Sequence, residues 1–181
     1  YGLETETELR MLEAIRRLGK EDIADIVPTF LGAHAIPPNY RGKGNAYVEV
    51  VTQEMLPAVR EWAGEALPFV DVFCEDGAFT LAQSRAILEH AREMGFPLKI
   101  HADEFVSLGG ASLAAELGAA SADHLVVTPP WDVQVLGSSN TVAVSLPCTP
   151  FGLGEGAYSP AQDFIRADAL FAIASDLNPG T

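Results

Sequence analysis

His101, Asp103 and Glu104 fall within four residues, in Lys99-Ile100-His101-Ala102-Asp103-Glu104-Phe105, directly behind an apolar lead-in. An imidazole nitrogen can hold a metal ion, and a carboxylate three residues further on can move protons beside it. Other apolar runs end in the same way. His34 closes one in Gly32-Ala33-His34-Ala35-Ile36-Pro37-Pro38, and Glu75 follows Val70-Asp71-Val72-Phe73-Cys74. His124 stands in Ser121-Ala122-Asp123-His124-Leu125, and Asp176 follows Phe171-Ala172-Ile173-Ala174-Ser175. Each has an ordinary explanation taken alone: a strand-end hydrogen bond for His101, a turn for Asp176, a loop or a pairing with Asp123 for His124. His90 lies mid-helix beside charges and reads as surface. Together, histidines at three strand ends and an aspartate at the last suit Zn²⁺ or Fe²⁺, which accept imidazole nitrogen and carboxylate oxygen. Such an ion brings the pKa of water down toward ~7. Glu104 could then take that proton and pass it to a leaving nitrogen. In outline, His101 binds a metal and Glu104 carries protons.

The elements that must position these residues alternate helix and strand. Thr5 and Glu8 read as a capping box, and Leu9, Leu12, Ile15 and Leu18 follow at helical spacing until Gly19. Residues 24–31 form an apolar run, 39–45 a polar loop, and 47–62 a helix that Pro57 should kink. Residues 69–74 read as a strand. Thr80 and Gln83 cap the next helix, with Leu81, Ile87 and Leu88 inward and Gly95 at its end. Residues 98–102 are the strand of the opening motif. An alanine-rich helix over 111–117 stops at Gly118, a short strand covers 121–127, and 131–136 is weakly marked. Residues 141–146 are a strand, 160–167 a short helix and 170–175 the last strand. Near-continuous apolar strands separated by helices predict an α/β fold with a parallel sheet buried on both faces. No Gly-x-Gly-x-x-Gly follows the first strand and no P-loop occurs, which argues against nucleotide-type doubly wound sheets. Polar residues gathered at strand C-termini favour a TIM-like (β/α)8 barrel, whose active site lies on that face. About six of eight strands are present, and the others are expected upstream of Tyr1.

The composition limits the function. At 48% hydrophobic and 20% charged, the 181 residues suit one folded domain and not a disordered chain. A net charge of −14 argues against a nucleic-acid partner, which would want clustered Lys and Arg. No apolar run approaches the ~20 residues of a membrane helix, so no membrane partner is expected. The only lysines are Lys20, Lys43 and Lys99, and an acid-rich, lysine-poor surface suits a halophilic source. Cys74 and Cys148 both lie in apolar stretches and read as buried free thiols of a reducing compartment.

The chain resembles the imidazolonepropionase family of the amidohydrolase superfamily of metal-dependent barrels. The matching stretches are Tyr1-Gly2-Leu3 with its Glu-rich helix, Gly-Ala-His-Ala-Ile-Pro-Pro, Val-Asp-Val-Phe-Cys-Glu, Lys-Ile-His-Ala-Asp-Glu-Phe, Ser-Ala-Asp-His-Leu, and Ser175 to Thr181. They run in order across essentially the whole chain. The resemblance implies a cytoplasmic hydrolase that opens the ring of 4-imidazolone-5-propanoate to N-formimidoyl-L-glutamate in histidine degradation. It implies His101 and Asp176 as ligands of one divalent metal, Zn or Fe, and Glu104 and His124 as catalytic groups. Tyr1, His34, Glu104, Asn178, Gly180 and Thr181 would contact the small-molecule substrate. It further implies a homodimer, and a His-x-His metal strand and a substrate-binding Arg upstream of Tyr1. Residues 1–181 would then be a single partial barrel domain, without the first strands or any flanking β-sandwich domain. The loop at Leu146-Pro147-Cys148-Thr149-Pro150, the Gly-rich stretch 151–158, and Asp168 in place of a turn glycine all depart from the family pattern. Two alternatives stand beside this reading: another amidohydrolase acting on a small cyclic amide or amidine, and a catalytically incomplete barrel fragment.

Overall fold

Six apolar runs become the strands β1 (Thr29–Ala33), β2 (Phe69–Cys74), β3 (Leu98–Ala102), β4 (Ser121–His124), β5 (Val142–Ser145) and β6 (Phe171–Ile173). The computed structural model describes residues 1–21 and 24–178. The strands form one sheet in strict chain order, every neighbouring pair parallel. A doubly wound sheet reverses its order at a switch point. Here the order never reverses, which is the winding of a (β/α) barrel, and β1 and β6 stand at its two edges.

Helix α1 (Thr5–Leu18) precedes β1, and the other helices connect the strands: α2 (Gly44–Val50), α3 (Leu56–Ala63), α4 (Leu81–Glu93), α5 (Gly110–Leu117), α6 (Pro130–Gly137), α7 (Cys148–Leu153) and α8 (Ala161–Arg166). The pleat sends alternate side chains to opposite faces. Val70, Val72 and Cys74 of β2, and Leu98, Ile100 and Ala102 of β3, enter the buried core with Ile87, Leu88 and Ala91 of α4 and Leu113 and Ala114 of α5. Asp71, Phe73, Lys99 and His101 occupy the other, inner face. The expected capping box at Thr80 and Gln83 is present in both directions, and Gly118 ends α5 in the left-handed conformation. Asp168 adopts φ 60°. Aspartate tolerates this left-handed region better than most residues, so the turn survives without glycine.

Several expectations need correction. The box at Thr5 and Glu8 does not form. Glu8 instead accepts hydrogen bonds from Gly2 N (2.6 Å) and Leu3 N (2.8 Å), and the Thr5 hydroxyl turns to Glu54. Chain folded back in front of α1 supplies the donors that the cap would have supplied. The helix expected over 47–62 around Pro57 runs from Gly44 to Ala63 as α2, a π turn over Val51–Met55 and α3, with Pro57 in the first turn of α3. Strand β4 stops at His124, because His124 and Leu125 both take positive φ. Cys74 is buried, but Cys148 is exposed, and both are free. Cys148 opens α7, a helix absent from the expectations, whose Thr149 and Pro150 turn inward while Cys148 turns out. Among the described residues, no helix is long and apolar enough to cross a membrane.

Candidate active site

Strand register places the inner-face residues in layers. Phe73, His101 and Asp123 lie side by side across β2, β3 and β4, one layer above Asp71, Lys99 and Ser121. His34 needs a further device to join them. Phe30 pairs with Val70, and continued regular pairing would send His34 outward. A bulge at Leu31-Gly32 adds one residue, so Ala33 pairs with Val72 and His34 turns inward. Gly32 permits this: a Cβ there would meet Phe30 Cζ at 2.3 Å, and its carbonyl accepts the Tyr47 hydroxyl at 2.8 Å. Phe30 is fully buried and has nowhere to go. Gly32→Ala is therefore expected to cost about 1–3 kcal/mol by overpacking, read as a lower midpoint in urea or thermal unfolding. An unchanged midpoint would mean that the Phe30 ring yields freely.

Three of the predicted site segments carry backbone strain. Asp103 (φ 54°), His124 (φ 78°) and Asp176 (φ 51°) are all left-handed and none is glycine. Such conformations cost ~1–3 kcal/mol and persist where surrounding structure holds them. Asp103 is buried and accepts a hydrogen bond from Thr128 Oγ1 at 2.9 Å, which pins the turn that swings Glu104 back over the strand end. Buried Glu75 holds the next residues. It accepts from Asp76 N (2.9 Å), Phe105 N (2.9 Å) and Val106 N (3.0 Å). The turn at His124 brings its imidazole to the inner side, its ring centroid 5.0 Å from that of His101 and its Nε2 3.6 Å from Glu104 Oε2. Thr149 Oγ1 donates to Asp176 Oδ2 at 2.6 Å, so the unexpected helix α7 orients the aspartate of the last strand end.

The electrostatics set these groups apart. Burial opposes a charge on His101, but the Asp71 carboxylate 2.9 Å from its Nδ1 outweighs it and holds the pKa at about 9. Burial likewise opposes the Asp71 charge, yet His101 and His34 hold its carboxyl well below the usual range. Burial, then the nearby His101, pushes His124 down to about 4, so it is a neutral imidazole near pH 7. Burial raises Glu104 to about 7; His101 opposes that shift, and Asp176 and Glu75 add to it. A carboxyl with that value can both take and give a proton at neutral pH. Burial depresses His34.

Tyr1, His34, His101, Glu104, His124, Asp176 and Asn178 all line one open cavity of about 560 Å³. Those seven expected site residues are thus brought together from both ends of the chain and four strand ends. Gly180 and Thr181 lie outside the described residues. The donor set suits a transition-metal ion. His34 Nε2 and His124 Nδ1 are buried without a hydrogen-bond partner among the described residues, and His34, Asp71 and His101 offer ligand atoms within 4.8 Å of one another. With Nδ1 of His101 engaged by Asp71, Nε2 is the nitrogen left for the cavity, in a place that already favours positive charge. The sequence reading missed the roles of Asp71, Glu75 and Thr149. Asp71 did leave a signal, since it is the one charged residue inside Phe69-Val70-Asp71-Val72-Phe73-Cys74 and falls on the alternation that points away from Val70 and Val72.

Comparison with known proteins places this arrangement. No family model matches the chain. The imidazolonepropionase of Herpetosiphon aurantiacus is 54% identical over 186 residues, which cover all of this chain and 44% of that protein. The imidazolonepropionase of Alkaliphilus metalliredigens is 51% identical over 181 residues, again all of this chain and 42% of the relative. The chain therefore spans less than half the length of these curated relatives. Among solved structures, guanine deaminase from C. acetobutylicum with bound guanine superposes with a TM-score of 0.70 at 12% identity, over 97% of this chain and 44% of that one. An adenosine deaminase from Xanthomonas campestris with bound zinc gives 0.62 at 15%, over 91% and 38%. An amidohydrolase from Brucella melitensis gives 0.62 at 16%, over 97% and 42%. At such low identity these show the fold alone, and the fold is the amidohydrolase-type barrel. With about half of its residues identical to those relatives along its entire length, the chain matches a portion of the imidazolonepropionases.

Proposed function

We propose that this chain is the catalytic barrel portion of a metal-dependent hydrolase that opens 4-imidazolone-5-propanoate with water to N-formimidoyl-L-glutamate, in histidine degradation. The observation that carries the reading is convergence: His34, His101, Glu104, His124 and Asp176 come from four strand ends and meet in one cavity. They do so in a chain that matches imidazolonepropionases from end to end. His101 and Asp176 would hold one divalent ion, Zn or Fe. That ion, when bound, supplies Lewis acidity toward water and the ring carbonyl.

The chain's own residues do the rest. Glu104 takes a proton from the attacking water as the new C–O bond forms at the ring carbonyl. It then returns the proton to the ring nitrogen as the C–N bond breaks, so the ring opens with the elements of water added. Neutral His124 donates a hydrogen bond to the carbonyl oxygen as negative charge develops there. Tyr1, whose ring centroid is 5.2 Å from that of His34, closes one side of the substrate space with it. Asn178, Gly180 and Thr181 would contact the substrate. Among the described residues lining this cavity there is no Lys or Arg for the propanoate tail, and an Arg from elsewhere in the enzyme would supply that charge. The reading carries with it a cytoplasmic homodimer with no nucleic-acid or membrane partner.

A substrate panel with the full-length protein tests this. Ring opening is expected for 4-imidazolone-5-propanoate, with N-formimidoyl-L-glutamate as product and no ammonia released. Faster release of ammonia from a cyclic amidine such as guanine would favour a deaminase instead.

A further inference from the structure

Asp71 is an unusual residue for its place. It sits in the middle of β2, its side chain is 1% exposed, and it is not part of the cavity wall. A carboxylate so deep in a sheet is costly unless it is hydrogen-bonded and paired. Its Oδ1 accepts a hydrogen bond from His101 Nδ1 at 2.9 Å and lies 3.4 Å from His34 Nε2. The two imidazoles meet edge to face, ring centroids 4.6 Å apart and planes at 80°. One carboxylate oxygen thus lies against both the His101 ring and the His34 ring.

We infer that Asp71 is a positioning residue that locks His101 as its Nδ1–H tautomer, presents Nε2 to the cavity as the metal-binding nitrogen, and holds His34 against it. The inference rests on the reading of His101 as a metal ligand. Three observations support it. His101 Nδ1 lies at hydrogen-bond distance, 2.9 Å, from Asp71 Oδ1, so that nitrogen faces the carboxylate. Asp71 lies one layer below His101, so it approaches the ring from the floor and leaves the upper nitrogen clear. And the neighbouring cation Lys99 is turned away, its Nζ 3.3 Å from Asp123 Oδ2, which leaves the two imidazoles as the partners of Asp71. A carboxylate behind a ligating histidine fixes its ring and raises its basicity, and removing such a partner typically weakens metal binding by about 10–100-fold. Asparagine does not replace it. Its oxygen could still accept from Nδ1, but it brings no charge.

The test is zinc affinity of the full-length protein and its Asp71→Asn variant, by competition with a chelator of known affinity. Far-ultraviolet circular dichroism is recorded in parallel. The expected result is a native spectrum with zinc bound about 10–100-fold more weakly. Equal affinity in the two proteins would overturn the inference and leave the metal reading standing. No zinc bound by the wild type would overturn the metal reading and this inference with it. Should the variant fail to fold, ¹⁵N spectra of the zinc-loaded wild type decide. A protonated Nδ1 and a zinc-bound Nε2 on His101 are expected. Zinc on Nδ1 would make Asp71 a ligand alongside it and overturn the positioning role.

Discussion

Glu104→Gln is expected to leave the fold and the metal content of the full-length protein unchanged and to lower kcat by about 10²–10⁴-fold. Glutamine keeps the length and shape of the side chain, so the turn held by Glu75 and Thr128 has no reason to move. What it loses is the ability to take a proton. Glu104 is nearly buried beside the cavity, and burial, with Asp176 and Glu75 near it and His101 opposing, places its pKa at about 7. In the proposed reaction one carboxylate both accepts from water and donates to the leaving nitrogen, and an amide can do neither. Steady-state kinetics, with elemental analysis of the same samples, check this. A near-normal kcat would remove Glu104 from the proton path.

His124→Ala is expected to lower kcat by about 10²–10³-fold, the cost of losing one preorganised donor to a developing oxyanion, with KM and metal content little changed. His124 is 3% exposed, sits 3.6 Å from Glu104, and is neutral because burial and the nearby His101 disfavour its charge. A neutral imidazole donates without adding a proton to the balance. The strained backbone that turns it inward means that the barrel holds this ring in place before substrate arrives. Loss of metal in the alanine variant would show that His124 is a ligand and not a donor. An unchanged kcat would show that it is neither.

Much of the site was readable because barrel chemistry collects where strands end. The stretches Phe69–Cys74 and Leu98–Ala102 form strands at the expected bounds, so His101 and Glu75 follow from hydrophobic pattern alone. What sequence pattern could not supply is direction. Period-two alternation puts His34 and His124 on the wrong face. A bulge at Gly32 corrects the first and a left-handed φ corrects the second, and neither leaves a mark in the apolar pattern. Pro57 carried a strong local signal, but the π turn over Val51–Met55 just before it left no mark in the sequence pattern. Asp71 was visible as a charge in an apolar strand, but its meaning depends on register with β3 and on the turn at His34. Cys148 lay in an apolar stretch and still came out exposed, because α7 turns its other side inward.

Metal content is the most direct test of the central claim, that this cavity is a metal-dependent hydrolytic centre with His101 as a ligand. The full-length protein and its His101→Ala variant would be purified without added metal and submitted to elemental analysis. The account predicts about one Zn or Fe per chain in the first and little or none in the second. A His101→Ala protein that keeps its full complement, or a wild type that holds none and takes none up, would contradict it.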